Sequence, residues 1–219
     1  MKDIFIITSV IRPNTQQGWT YTSIRSTFSP KERFEQTQST INSIRKYCGN
    51  AKILLVECSQ LEIDEHEYFA KNVDYFMNLF DDPIINQAVN SVYKGLGEVY
   101  QCLWAIDFIK DLNNIRNIYK ISGRYILTQK FDINKFSTDI PTFLKYADGH
   151  CTVLYSISNN KFIEYEMSLH KIKNMFNGYV GIEQLLGNIL NQSTPIHPID
   201  ELGVCGYVAV DNGGLLWEK

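Results

Sequence analysis

Glycine is missing where a dinucleotide-binding turn would need it: the first apolar run, Ile4-Phe5-Ile6-Ile7, leaves into Thr8-Ser9-Val10-Ile11-Arg12-Pro13. The absence of a phosphate-cradling glycine turn argues against a Rossmann dehydrogenase or methyltransferase. The five cysteines, Cys48, Cys58, Cys102, Cys151 and Cys205, form no Cys-x-x-Cys pair, and the four histidines show no His-x-x-x-His or His-Glu-x-x-His spacing. Buried free thiols are expected, and neither a disulfide framework nor a zinc site is indicated. Charge of one sign is also scarce. Lys and Arg number 21 against 24 Asp and Glu, and the formal charge of −3 provides no field to collect a polyanion. Nucleic acid is not expected as the main partner, although a local basic cleft is compatible with a diphosphate. The opening apolar stretch of about seven residues falls short of the about twenty that span a bilayer and lacks a small-residue cleavage pattern. No membrane span is expected, and the chain is read as cytoplasmic. No repeat period, low-complexity tract or linker divides it.

What is present reads as one α/β domain. With 44% hydrophobic and 21% charged residues over 219 positions, the chain can bury a substantial core. Ile4 to Ile7 is apolar on both alternating sets, as in a strand covered on both faces. A long polar stretch, Arg12 to Phe28, follows. Ser29-Pro30-Lys31-Glu32 then combines a Ser N-cap, Pro at the first helical position and Glu at the third, the reciprocal capping box. It starts a helix with Phe34, Ile41, Ile44 and Tyr47 mostly on one stripe, ended by Gly49. Strands are expected at Lys52 to Val56, Val73 to Leu79 and about Ile118 to Ile121, the last preceded by a helix carrying Val99, Leu103, Ile106 and Ile109. The final third predicts strands near Cys151 to Ile157, Phe162 to Tyr165 and Val204 to Val210, and a helix near Gly181 to Asn191. The alternation argues for a mostly parallel, twisted sheet flanked by helices.

Polar residues follow the apolar strands abruptly. Glu57-Cys58-Ser59 closes the second strand, and Lys94-Gly95-Leu96-Gly97-Glu98 leads into the helix before the fourth. Ligands of open α/β sheets bind outside such carboxyl ends. Lys94 is a fair anion site, because free N–H groups and a cation converge at a helix N-terminus. The order of these features resembles the GT-A glycosyltransferases. More particularly, Tyr119-Lys120-Ile121-Ser122-Gly123-Arg124-Tyr125 is similar to a Lys-x-Ser/Thr-Gly-Arg-Tyr element of viral and bacterial members of that superfamily. The resemblance implies a single GT-A-like, Rossmann-like domain in which residues 1–130 bind the donor nucleotide and residues 131–219 form the acceptor and catalytic part. It implies a nucleotide-sugar donor, such as a UDP-sugar, and a glycan or other hydroxyl acceptor. The donor contacts it implies are Thr8, Ser9, Arg12, Glu57, Lys94, Lys120, Ser122, Gly123, Arg124 and Tyr125.

Many members of that family carry an Asp-x-Asp at the place of the heptapeptide, where it coordinates a cation that neutralises the leaving diphosphate. None stands at this strand end. Lys120 and Arg124 would take over, since a guanidinium grips phosphate oxygens as a bidentate fork. No metal ligand is assigned, and Mn or Mg stays an open alternative. Asp81 and Asp82 compete between a metal role and an ordinary turn before Pro83. Glu57 competes between a nucleobase or ribose contact and local capping or solvent. Arg12, Arg25 and Arg33 exceed the cations that a loop and helix start need; ion pairs with Glu32 or Glu35 explain some of this, and donor contact stays open for Arg12 or Arg25. An inverting transfer needs a base. Glu183, in the first helical turn after Gly178 and Gly181, holds the family-like place, against the alternative that it stabilises its own helix dipole. Glu164 and Glu166 are fallback bases. Trp19, Tyr21, Tyr125, Tyr179 and Trp217 either stack on a base or sugar or fill core and surface. Asp200-Glu201-Leu202-Gly203 with His197 would form an acceptor-side wall. Two other readings stay open: a sugar-phosphate nucleotidyltransferase, which should carry a glycine-rich loop after the first strand, and a non-catalytic nucleotide-sugar or glycan-binding module.

Overall fold

Strand β1 (Lys2–Ser9) is apolar on both sides, and Ile4, Phe5, Ile6 and Ile7 are all fully buried. The computed structural model describes the chain except residues 1, 21, 137–138, 147–148, 177–179, 209–214 and 218–219, with backbone alone for 215–217. After β1 come α1 (Pro30–Tyr47), β2 (Lys52–Glu57), α2 (Ile63–Asn72), β3 (Tyr75–Asn78), α3 (Pro83–Val89), α4 (Leu96–Lys110) and β4 (Ile115–Ser122). The second half adds β5 (Tyr125–Leu127), β6 (Thr142–Lys145), β7 (His150–Ser158), α5 (Phe162–Met175), α6 (Ile182–Leu190), β8 (His197–Ile199), β9 (Val204–Tyr207) and β10 (Leu215–Trp217).

The seven-stranded sheet has the order β3-β2-β1-β4-β7-β6-β8. Strands β3, β2, β1 and β4 run parallel, β7 is antiparallel to both its neighbours, and β8 is parallel to β6. A small antiparallel sheet, β10-β9-β5, stands beside it. Ile4 and Ile6 face α4, α5 and α6, packing with Ile106, Leu169 and Leu186. Phe5 and Ile7 face α1, α2 and the small sheet, packing with Ile41, Phe69 and Val204. The chain therefore leaves β1 over one face and reaches β4 over the other. Where connections diverge in this way, a crevice opens at the carboxyl ends of the two strands.

Local chemistry explains the boundaries. At α1 the Ser29 hydroxyl accepts the Glu32 N–H at 3.3 Å and the Glu32 carboxylate accepts the Ser29 N–H at 2.8 Å, which is the expected capping box. Of the pair Asp81-Asp82, Asp82 N-caps α3, accepting the Ile84 and Ile85 N–H groups at 2.9 Å each, which is the ordinary turn role before Pro83. The strand expected at Phe162 to Tyr165 is instead the first turn of α5. Its buried Phe162, Tyr165, Leu169 and Ile172 follow helical spacing, while Ile163 is 68% exposed, and four residues are too few to distinguish the two periods. Helix α2 was not anticipated, because it buries only Glu65 and Phe69. All five cysteines are free thiols, four of them buried. Among the described residues no helix is long and apolar enough to cross a membrane.

Two contacts lock the sheet to its surroundings. The buried Glu57 Oε1 accepts N–H groups from Ile11 at 3.0 Å, Cys58 at 3.0 Å and Ser59 at 2.8 Å, and the Ser59 hydroxyl at 2.5 Å, tying the exit of β1 to that of β2. Gly187 of α6 lies flat against β7, so that a Cβ there would overlap the His150 imidazole. Glu57→Ala should lower stability by about 3 kcal/mol, with Glu57→Gln costing less because it keeps one acceptor oxygen. Urea midpoints at unchanged slope report this. Overpacking costs about 1–3 kcal/mol and a helical Gly→Ala gains about 1 kcal/mol, so Gly187→Ala should be destabilising on balance by up to about 2 kcal/mol. Combining it with His150→Ala should give a loss smaller than the sum of the two single losses.

Candidate active site

The crevice between β1 and β4 holds a cavity of about 200 Å³. Thr8 and Ser9 end β1, Ser122 ends β4, and Arg124 and Tyr125 lie just beyond; all five reach the cavity wall. Arg33 enters from α1, and Glu98 and Gln101 from α4. The buried Gln101 amide donates to the carbonyls of Ser9 at 2.8 Å and Val56 at 3.1 Å, so α4 is pinned to the ends of β1 and β2. Gly123 explains the tight exit of β4. Its N–H donates to the Thr8 carbonyl at 2.9 Å, its carbonyl accepts the Thr37 hydroxyl at 3.1 Å, and a Cβ would sit 3.1 Å from that hydroxyl.

Cations dominate this lining. Arg33 is 7% exposed; its Nε donates to the Val10 carbonyl at 2.6 Å and Nη1 to the Ser26 hydroxyl at 3.2 Å. Burial, and after it the charge of Arg124, pushes the Arg33 guanidinium down to about 9. Arg124 has a buried Nε with no hydrogen-bond partner. Arg25, 4% exposed, donates to the Val89 carbonyl at 2.9 Å, to that of Asn90 at 3.3 Å and to that of Ser91, closing the C-terminus of α3. The Trp19 ring lies 4.1 Å from its guanidinium, and Arg25 Nε is also buried without a partner. Burial lowers the Arg25 pKa as well. With Lys94, four cationic side chains line the cavity against two carboxylates, Glu98 and Glu183, in a chain whose overall charge is −3.

Two helix N-termini meet at the rim. Gly95, at φ +92°, begins α4 and Gly181 begins α6, neither supplying a side-chain cap. A Cβ on Gly95 would come within 2.9 Å of Ile182, so glycine is what lets these ends approach. Lys94 and Glu183, 46% and 38% exposed, face each other there at 3.9 Å. The Glu183 carboxylate also folds back over its own helix start, 2.7 Å from where a Gly181 Cβ would stand.

Of the residues expected from the sequence, the cavity brings together Thr8, Ser9, Lys94, Ser122, Arg124, Tyr125 and Glu183, with Gly123 in a small adjoining space. Three take other places. Lys120 is fully buried, and its ammonium donates to Glu98 at 2.6 Å, Ser122 at 2.9 Å and the Thr152 carbonyl at 2.8 Å, so it has no hydrogen left for a phosphate. Arg12 pairs with Glu65 at 2.5 Å and Glu62 at 3.4 Å. Glu57 is enclosed by the backbone N–H groups it accepts. Trp19 and Tyr125 line the cavity, whereas Tyr21, Gly178 and Tyr179 lie outside the described residues, as does the Trp217 side chain. Glu164 and Glu166 sit on α5 paired with Lys161 and Lys110. His197 is on the edge strand β8, and Glu201 pairs with Lys130 and Lys135.

The donor set does not suit a protein-held divalent ion: Glu98 is engaged by Lys120, Glu183 faces Lys94, and Asp82 caps α3. Among the described residues no three His, Cys, Asp or Glu side chains gather as ligands. Sequence reasoning passed over Glu98 and Gln101 as cavity residues and weighed Arg33 only against surface ion pairs. A signal existed. Arg33, Thr37 and Thr40 fall on the same inward stripe of α1 as Ile41 and Ile44, an unusual place for a cation.

No protein-family model and no curated protein sequence matches the chain. Solved structures do. A protein assigned as a nucleotide-diphospho-sugar transferase from Desulfovibrio desulfuricans aligns with a TM-score of 0.52 at 7% identity, over 91% of this chain and 80% of that one. A nucleoside-diphosphate-sugar pyrophosphorylase from Vibrio cholerae gives 0.54 at 10% identity, over 93% and 94%. Core-mannan synthase A from Aspergillus fumigatus, solved in an Mn/GDP form, gives 0.54 at 9% identity, over 94% and 74%. At such identities the likeness shows the fold: the chain is a single α/β domain with a mostly parallel central sheet flanked by helices, of GT-A-like architecture.

Proposed function

We propose that this protein is a glycosyltransferase that binds a nucleoside-diphosphate sugar in the β1/β4 crevice and passes the sugar to a hydroxyl of a glycan or other acceptor. The observation that carries the reading is the excess of positive charge there: Arg33 and Arg124 side by side, with Arg25 and Lys94 on the same wall against two carboxylates. A diphosphate supplies the missing negative charge. It accepts hydrogen bonds from guanidinium forks and from free N–H groups of helix ends, and the same donors stabilise the charge that develops on the leaving nucleoside diphosphate. Desolvation makes the fit stronger, because groups already removed from water lose little hydration when the anion arrives. The cavity of about 200 Å³ is smaller than the roughly 300–1,000 Å³ that enclose a drug-sized ligand. It would enclose the diphosphate and sugar, with the nucleoside lying across its open side. Residues 1–130 contribute most of this donor wall, and residues 131–219 add Thr152, Val153, Glu183 and Val208.

Glu183 is the base in this reading. Its half-exposed carboxylate stands at the rim, where an acceptor hydroxyl would approach, and an inverting transfer needs the hydroxyl proton removed as the sugar carbon is attacked. The nucleotidyltransferase alternative shares the fold and the need for diphosphate contacts, but β1 leaves into Thr8-Ser9-Val10 rather than a glycine-rich loop. Product analysis separates the two: a transferase releases a nucleoside diphosphate, whereas a nucleotidyltransferase releases pyrophosphate from a nucleoside triphosphate.

Arg124→Ala should weaken donor binding about ten- to hundredfold, the range for a lost charged hydrogen bond; calorimetry with an unchanged dissociation constant would remove Arg124 from the site. Glu183→Gln should retain donor affinity while lowering kcat for transfer about 10²- to 10⁴-fold. Transfer at the wild-type rate would reassign Glu183 to its helix end.

A further inference from the structure

Lys120 lies in the interior of β4 with no exposed surface, and its three ammonium hydrogens go to Glu98 Oε1, Ser122 Oγ and the Thr152 carbonyl at 2.6, 2.9 and 2.8 Å. The Tyr155 ring stands 5.9 Å from the same nitrogen. All three acceptors belong to residues of the cavity wall, so Lys120 sits one layer behind that wall. Stability does not account for such a pair. A buried ion pair is often replaceable by apolar groups without loss. What the pair does accomplish is to aim a carboxylate. Glu98 occupies the first turn of α4, where the free N–H groups of the helix end attract its charge; Lys120 draws it toward the strand edge instead, leaving it 21% exposed.

We infer that Glu98 binds hydroxyls of the transferred sugar, with Lys120 as its positioning residue, and that the donor sugar is therefore neutral rather than acidic. The inference rests on the donor reading given above. An ionised carboxylate only accepts hydrogen bonds, and ring hydroxyls are the donors a neutral sugar offers; a uronate carboxylate placed there would meet a like charge. The cavity is divided accordingly. Its α1, β1 and β4 side presents Arg33 and Arg124 with no carboxylate, which suits the diphosphate, and Glu98 of α4, held toward β4 by Lys120, suits the sugar, with Lys94 and Glu183 facing each other at the rim.

Calorimetry with UDP, UDP-glucose and UDP-glucuronate, and in parallel with GDP and GDP-glucose, tests this on the wild type, Glu98→Gln, Lys120→Met and the double variant. Glu98→Gln leaves the buried ammonium unpaired and is at risk of unfolding. The double variant removes both charges and is the control for folding. Wild type should bind the glucose ester more tightly than the bare nucleotide, and UDP-glucuronate more weakly than UDP-glucose. Each variant should keep its affinity for the bare nucleotide within about twofold while losing about ten- to hundredfold for the glucose ester, with less discrimination against the glucuronate. A purely structural role would not produce a loss confined to the sugar. Equal losses for nucleotide and nucleotide-sugar, or no loss in the double variant, would overturn the assignment of Glu98. Absence of binding by any nucleotide to the wild type would instead overturn the donor reading, and this inference with it.

Discussion

Arg33 and Arg124 bring two like charges together at the carboxyl edge of the sheet, with Arg33 almost wholly withdrawn from water. Desolvation and mutual repulsion both oppose that arrangement. The surrounding fold must therefore over-determine it. The Val10 carbonyl and the Ser26 hydroxyl hold Arg33, while Gly123 lets the exit of β4 press against Thr37 of α1. The remaining cations follow the same logic: Arg25 is anchored on the carbonyls that end α3, with an Nε left over, and Lys94 is carried on the glycine turn before α4. The outcome is an edge with positive charge in excess and two guanidinium donors, Arg25 Nε and Arg124 Nε, lacking acceptors among the described residues, which is the character that the proposed diphosphate site requires.

The carboxylates near this edge divide by their neighbours. Glu57 is fully enclosed and gathers the N–H groups of two strand exits, so it builds the floor. Glu98 is held from behind by Lys120 and reaches the cavity, and Glu183 stays at the rim opposite Lys94. Three acids of the same chemistry thus acquire scaffolding, cavity-facing and rim positions from burial and partners alone.

The local elements were largely legible, because each rests on a few adjacent residues. The capping box at Ser29 and Glu32, the doubly apolar Ile4 to Ile7 and the glycine-led start of α6 need no distant partner. Where the signal was four residues long, as at Phe162 to Tyr165, or where the helix buried only two side chains, as in α2, helical and extended periods could not be distinguished. The motif at Lys120 to Tyr125 spans the end of β4, yet it could not tell which of its two cations reaches the cavity. Lys120 and Arg124 differ by whether the residue lies within the strand or past it.

By itself, then, the sequence determined the class of domain, its main parallel strands with α1 and α4, and the chemistry collected near the strand ends, since those follow from periodicity, capping and the side chains present. Tertiary structure alone decided which charges meet. The partners of Lys120, Arg12 and Arg33 lie 22, 53 and 23 residues away, at Glu98, Glu65 and Val10. No local pattern encodes separations of that kind, because they arise only when the parallel sheet closes and α1 and α4 pack on its opposite faces.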